Sequence, residues 1–341
     1  MKKLNVIQIG TSHEHAEGIM CTLRRMTDTY NVLGVVEDRF CHTPALKKEG
    51  WLQVGFDGLK RFSLEEALSH PDVDAYIVEV PNDDLISVAE MCLATGKPMH
   101  LDKPVGIDHE RYKRLLDAVE TRNIPFQMGY MFRGNPAFTK LKELAKSNCF
   151  GDIMEIHGSM NHNYGGEPYQ EYAGKFPGGV MYILGNHMFD LFASLLGEPD
   201  DVVSFLKNAP CDDSHIANTT LAVLSYPHAT AVAHVISRDP DGTPHRHFRL
   251  SGTKGTFELM PIERFDNKPL TARVFFKEEN DYYPAGEHII DFGIITDRYA
   301  LHLGEFASMV HGELPDPYTR AHDYLVHKIT LAASGVIPYR K

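Results

Sequence analysis

The stretch from Tyr76 to Gly106, YIVEVPNDDLISVAEMCLATGKPMHLDKPVG, decides the fold class. The apolar run Ala75-Tyr76-Ile77-Val78 ends at Pro81-Asn82, as a buried strand ends in a turn. Leu85 to Thr95 then follows helical spacing and closes at Gly96, and Met99 to Leu101 is a second short apolar run. Strand, helix and strand in so short a span make the crossover unit of a parallel α/β sheet. In such sheets ligands bind outside the carboxyl ends of the strands, which is where Lys103 falls, followed at once by Pro104. A lysine there is placed for chemistry; a surface lysine before a turn is the plainer reading of the tripeptide taken alone.

The same rhythm extends outward. Val6 to Ile9, Val32 to Val36, Ala75 to Val80, Met99 to Leu101 and Pro125 to Met128 alternate with helical stretches, which predicts a parallel sheet with crossover helices. After Pro136 the pattern changes. A helix over Ala137 to Ser147 leads to strands at Ile153 to Ser159, Val202 to Leu206, Thr219 to Tyr226, Ala229 to Ser237 and Phe248 to Ser251, with a helix over Val180 to Leu196 covering one face. Such a run of strands predicts an α+β domain with a mostly antiparallel open sheet. Helices over Tyr299 to Val310 and Arg320 to Ser334 follow, split by a turn containing Pro315. A chain of 341 residues exceeds the size at which one core keeps growing, so two domains are expected, residues 1–128 and 129–341, with the last helices able to pack back on the first.

Composition narrows the partners. The 46 acidic residues outnumber the 34 basic ones, giving a net charge of -12, and no Lys/Arg block carries interleaved aromatics, so nucleic acid is not an expected partner. Met1-Lys2-Lys3 runs straight into a strand and no apolar run approaches the ~20 residues of a membrane span, which predicts a cytoplasmic chain without a membrane partner. Five cysteines show no C-x-x-C pair and no disulfide framework. His13 and His15, and likewise His245 and His247, stand two apart, but no Cys, Asp or Glu sits at a recognisable ligand interval, so no metal is expected. There is no G-x-S-x-G elbow for a serine hydrolase.

Four segments in order carry a family resemblance: Asp102-Lys103-Pro104, the run Gly129 to Pro136, the run Gly185 to Asp190, and Gly252 to Thr256. Together they resemble the Gfo/Idh/MocA family of nicotinamide-dependent sugar and cyclitol oxidoreductases, whose hallmark is Glu-Lys-Pro. The resemblance implies an N-terminal Rossmann dinucleotide-binding domain, a C-terminal α+β domain, a polyol or sugar substrate, and a homodimer or homotetramer. Gly10-Thr11-Ser12-His13 then reads as the pyrophosphate turn, although only the first of the three fingerprint glycines is present and His15 replaces the last. Glu37 and Asp38, at the end of the second strand, favour NAD, while Arg39 keeps NADP open. Pro81, Asn82, Asp102 and Lys103 line the rest of the cofactor groove, and Leu85 stands where the family has a histidine.

For the chemistry the resemblance implies Lys103 and His187 as catalytic groups. Lysine is useful where burial brings its pKa down, and histidine already titrates near neutrality. The family's aspartate four residues before the histidine is Ile183 here, and Asp190 reads as structural. Tyr130, Arg133, Asn161, His162, Tyr164 and Asn186 are the substrate-facing candidates, with Arg133 read more as a buttress than as a grip on an acid. The Gly- and Tyr-rich stretch from Asn161 to Lys175 reads as a loop closing over a pocket, or equally as exposed filler. The expected activity is an NAD(P)-dependent oxidoreductase acting on a ring secondary alcohol. Two rivals stand beside it: a sugar lyase or glycosidase that oxidises its substrate transiently, and a non-enzymatic sugar or nucleotide sensor.

Overall fold

The computed structural model describes residues 2–37, 54–164 and 166–341. They fall into two compact units, Met1–Met131 with Asp297–Tyr324, and Phe132–Thr296 with Leu325–Lys341.

The first unit is a parallel sheet of six strands: β1 (Leu4–Ile9), β2 (Tyr30–Val36), β3 (Arg61–Phe62), β4 (Ala75–Val78), β5 (Met99–Leu101) and β6 (Phe126–Met128). Their order is β3-β2-β1-β4-β5-β6, so the chain reverses its direction of travel across the sheet between β1 and β4. That reversal opens a crevice at the carboxyl ends of the strands. The crossovers are α1 (Ala16–Arg25), α2 (Leu64–Ser69), α3 (Leu85–Ala94) and α4 (His109–Thr121). Local chemistry sets their starts. Ser63 and Glu66 form a reciprocal capping box at α2, and the Asp108 side chain accepts from the Arg111 amide at α4. Leu4, Val6, Ala75 and Ile77 pack with Ile19 and Leu23 of α1 and with Leu303 and Phe306 of a later helix, Ala300–Val310. That helix is therefore part of this unit's core. β3 was not expected, because two residues give no period to read.

The second unit opens with α5 (Pro136–Lys146), whose N-cap is Asn135 with proline behind it. An eight-stranded sheet follows, built from β7 (Ile153–Ser159), β8 (Asp201–Lys207), β9 (Thr219–Ser225), β10 (Thr230–Ile236), β11 (His247–Gly252), β12 (Gly255–Leu259), β13 (Thr271–Phe276) and β14 (Gly286–Asp291). Its order is β14-β13-β12-β11-β7-β10-β9-β8. Every pair is antiparallel except β7 with β10. The last three strands extend the sheet beyond the sequence expectation. One face is covered by α7 (Asn186–Leu196), which lies so close to β7 that a Cβ at Gly158 would sit 2.4 Å from Met188 Sδ.

Two expectations are corrected here. Residues 161–175 are not simply a loop: α6 (Glu167–Gly174) forms behind Gly166 with Pro168 in its first turn, and buries Tyr169 and Tyr172. The predicted helix over Val180 to Leu196 begins as a π-helical turn, Met181–Gly185, before becoming α7. The chain ends with α8 (Ala300–Val310) and α9 (Arg320–Ala333). No helix among the described residues is long and apolar enough to cross a membrane.

Candidate active site

The first unit presents a crevice at the carboxyl ends of its strands. Gly10 closes β1 with φ +106°, and an added Cβ would lie 2.4 Å from the Glu79 carbonyl carbon, so only glycine lets the turn pass the end of β4. Gln8 supports the turn from below, donating from Nε2 to the carbonyls of Gly10 (2.9 Å) and Ala16 (3.0 Å). Beside it lies a cavity of about 690 Å³ with Ile9, Val36, Phe62 and Leu64 as apolar walls. Glu37 stands at its rim, its Oε1 2.9 Å from Arg61 Nε. Apolar walls for a base, a carboxylate for ribose hydroxyls and a glycine turn at a helix start fit the adenosine half of a dinucleotide. Asp38 and Arg39 lie outside the described residues.

Lys103 sits just beyond β5, 1% exposed. Its backbone is held on both sides. Asp102 Oδ1 accepts from the Lys103 amide at 2.7 Å, and the Lys103 carbonyl accepts from Asn82 Nδ2 at 3.1 Å and faces His13 Nε2 at 3.2 Å. Burial lowers the lysine pKa, and the carboxylates of Asp102 and Glu14 resist that fall. Gly129 leaves room for Asp102, since a Cβ there would lie 2.9 Å from its Oδ1.

The same carboxylate gathers the two loop histidines. His13 Nδ1 and His15 Nδ1 each lie 2.8 Å from Asp102 Oδ2. Burial pushes the His15 pKa down to about 4 against the pull of Asp102. Burial opposes ionisation of Asp102, but the two imidazoles outweigh it and hold the carboxyl well below its usual range. The fold thus brings to the His13/His15 pair a carboxylate that stands at no recognisable interval in the sequence. Asp102 stands far away in sequence and is brought in by the strand order, which no interval rule detects. His245 and His247 instead face Asp241 and Glu258 separately.

In the second unit, His187 lies in the first turn of α7, 1% exposed, with its ring centroid 5.2 Å from that of Phe132. Asn186 is fully buried beside it. Its Nδ2 donates to the carbonyls of Tyr182 (2.6 Å) and Ile183 (2.8 Å), which the π turn presents, and its Oδ1 is buried with no hydrogen-bond partner among the described residues. Ile183 is buried within that turn, so no carboxylate occupies the position.

Several predicted substrate contacts are committed elsewhere. The Arg133 fork is taken by Asp190 of the same unit, with Nη2 to Oδ1 at 2.6 Å and both side chains 1% exposed. Asn161 donates to Asp239 at 2.9 Å and accepts from the Ile236 amide at 3.1 Å, pinning β10. His162 stacks on Tyr164 at 4.2 Å between centroids, and Tyr164 on Tyr169 at 4.5 Å, an aromatic stack rather than an open wall. Tyr130 is buried just after β6. Sequence reasoning missed Gln8, Glu79, Arg61 and Phe132. Gln8 had a signal, a lone polar residue inside the apolar run of β1.

Comparison with known proteins places this geometry. Residues 9–130 match the model of the oxidoreductase family with NAD-binding Rossmann fold, and residues 138–258 match the GFO/IDH/MocA C-terminal domain. The chain belongs to the Gfo/Idh/MocA oxidoreductase family. Among its relatives, the uncharacterised oxidoreductase YhhX of Escherichia coli K12 is 27% identical over 80% of this chain and 76% of its own length. An inositol 2-dehydrogenase of Corynebacterium glutamicum is 28% identical over 32% of each chain. A levoglucosan dehydrogenase of Pseudarthrobacter phenanthrenivorans is 22% identical over 43% of this chain, which spans 40% of that relative. A solved levoglucosan dehydrogenase in complex with NADH and levoglucosan shares the fold, with TM-score 0.79 and 17% identity over 98% of this chain and 97% of that one. The family is one of oxidoreductases with an NAD-binding Rossmann fold.

Proposed function

We propose that this family member is an NAD-dependent dehydrogenase acting on a ring secondary alcohol of a sugar or cyclitol. The observation that carries the reading is Lys103, buried at the carboxyl end of a parallel strand with its backbone held by Asp102 and Asn82. A bound nicotinamide supplies the hydride acceptor. In the first unit Lys103 donates to a substrate oxygen; in the second, His187 is the candidate proton acceptor, each tested by its own substitution. Asn186 Oδ1, a buried acceptor, takes a hydrogen bond from a neighbouring hydroxyl. Glu37 favours NAD, because a 2′-phosphate would face its carboxylate.

Relatives named for inositol and levoglucosan set the first probes. Incubating the protein with NAD and each of these polyols, alongside a sugar panel, should release NADH with at least one. A second reading rests on Ile183, whose apolar side chain replaces the family carboxylate beside His187: transient oxidation followed by elimination. Converted sugar without net NADH would favour it over the dehydrogenase. Binding of polyol without any conversion would leave the sensor.

A further inference from the structure

The cluster of His13, His15 and Asp102 has more donors than the cofactor reading uses. One ligand atom from each residue lies within 4.8 Å of the others. All three are largely buried, at 5%, 8% and 1% exposure, so water is a poor competitor for those donors. We infer that these residues bind one divalent transition-metal ion, zinc in the first instance, between the loop after β1 and the end of β5.

Geometry carries the argument. His13 Nε2 faces the Lys103 carbonyl at 3.2 Å, and a carbonyl only accepts, so Nε2 can keep its proton while Nδ1 serves as a ligand. His13 Nδ1 points at Asp102 Oδ2 from 2.8 Å, the distance of a hydrogen bond. A cation in place of the shared proton would turn that contact into two coordinate bonds. His15 Nδ1, aimed at the same Oδ2 from 2.8 Å, makes the third. The Nε2 contact to a backbone carbonyl is also the outer contact that metal-bound histidines make, fixing tautomer and ring orientation.

Charge and size agree. Glu79 is a second fully buried carboxylate, with Oε2 3.7 Å from His13 Nδ1, so a divalent ion would lie between two negative groups that are costly to bury together. Zinc binds nitrogen and carboxylate oxygen at about 2.0–2.2 Å, which in a tetrahedral site separates the donors by ~3.4 Å, so the ligands must part by ~0.6 Å from their present spacing. Side-chain rotation supplies that. Two imidazoles and one carboxylate also suit Co²⁺, Fe²⁺ and Mn²⁺, while the absence of sulfur in the set excludes a thiolate-type site. Because Asp102 Oδ1 accepts from the Lys103 amide while Oδ2 would take the metal, the ion would tie the cofactor loop to the backbone of Lys103. This inference is independent of the substrate.

The test uses the full chain, stripped with chelator and titrated calorimetrically with Zn²⁺, and then with Co²⁺ followed by its visible spectrum. One ion per chain is expected, with a higher thermal midpoint in the loaded protein. His15→Gln and Asp102→Asn should each weaken Zn²⁺ binding at least ~10-fold. Cys211→Ser, which removes an exposed thiol, should bind as the parent does. Sub-stoichiometric binding, or full binding retained in both ligand variants, overturns the proposal and leaves the cluster as an imidazolium–carboxylate hydrogen-bond network. Should both variants misfold, X-ray absorption at the zinc edge of the parent decides. An imidazole and oxygen shell without sulfur supports the site, and any other shell overturns it.

Discussion

On the proposed function, buried charge divides between Lys103, placed for chemistry, and the Arg133–Asp190 pair, placed for support. Lys103→Met keeps the length of the side chain and removes its charge, so NAD affinity should stay within a few-fold while turnover drops by roughly 10²-fold or more. Steady-state kinetics together with cofactor fluorescence checks both halves, and near-normal turnover would return Lys103 to a structural role. Asp190→Asn leaves the Arg133 guanidinium buried beside a neutral amide, and breaking such a pair costs about 3–5 kcal/mol. Urea unfolding should show that loss, and a loss under ~1 kcal/mol would mean that solvent reaches the pair in solution. The position of Lys103 at the end of β5 could be read from sequence because the apolar run before it is local. Asp102 as the meeting point of His13 and His15 could not, because it depends on β5 lying two strands from β1.

At the level of elements, the turn after β1 and the π turn before α7 carry the departures from the family pattern. Gly10→Ala would force a Cβ against the Glu79 backbone at a φ that side chains rarely adopt, at a cost of roughly 2–4 kcal/mol. NAD binding should be lost with it, and an unaltered dissociation constant would show that the turn opens away from β4. Ile183→Asp, which restores the family carboxylate, places a charge in a buried apolar turn. We expect lower stability by about 1–3 kcal/mol and lower turnover on inositol, measured by urea unfolding and NADH release. Unchanged stability with faster turnover would show instead that the pocket still accepts the family's proton relay. The helix α5 was legible in the sequence, from the helical spacing that follows Pro136. The π turn was not, because its apolar residues have the same spacing as the helix that follows, and the Asn186 amide absorbs the displaced carbonyls only once the turn has formed.

On the scale of the molecule, the parallel and antiparallel halves follow from the change of rhythm at Pro136, while β12 to β14 escaped notice because their runs are short and are broken by polar residues such as Arg273 in β13 and Glu287 and His288 in β14. The outward face of the second sheet leaves Phe205 of β8 and Ile289 of β14 more than half exposed, and Val203 of β8 about half. Exposed apolar groups at both edges of a sheet face that carries polar residues between them suit a partner, and the expected partner is a second copy of the chain. Light scattering should therefore give a dimer or tetramer, and Phe205→Glu should shift it toward monomer; a monomeric parent would contradict this. The central claim, that the chain moves hydride between a ring carbinol and NAD, is tested most directly with myo-inositol and levoglucosan carrying deuterium on their carbinol carbons. The account predicts that NAD incubated with the protein and at least one of these polyols acquires deuterium on its nicotinamide ring, and that Lys103→Met slows the transfer. Conversion of either polyol with no deuterium in the nicotinamide would contradict it.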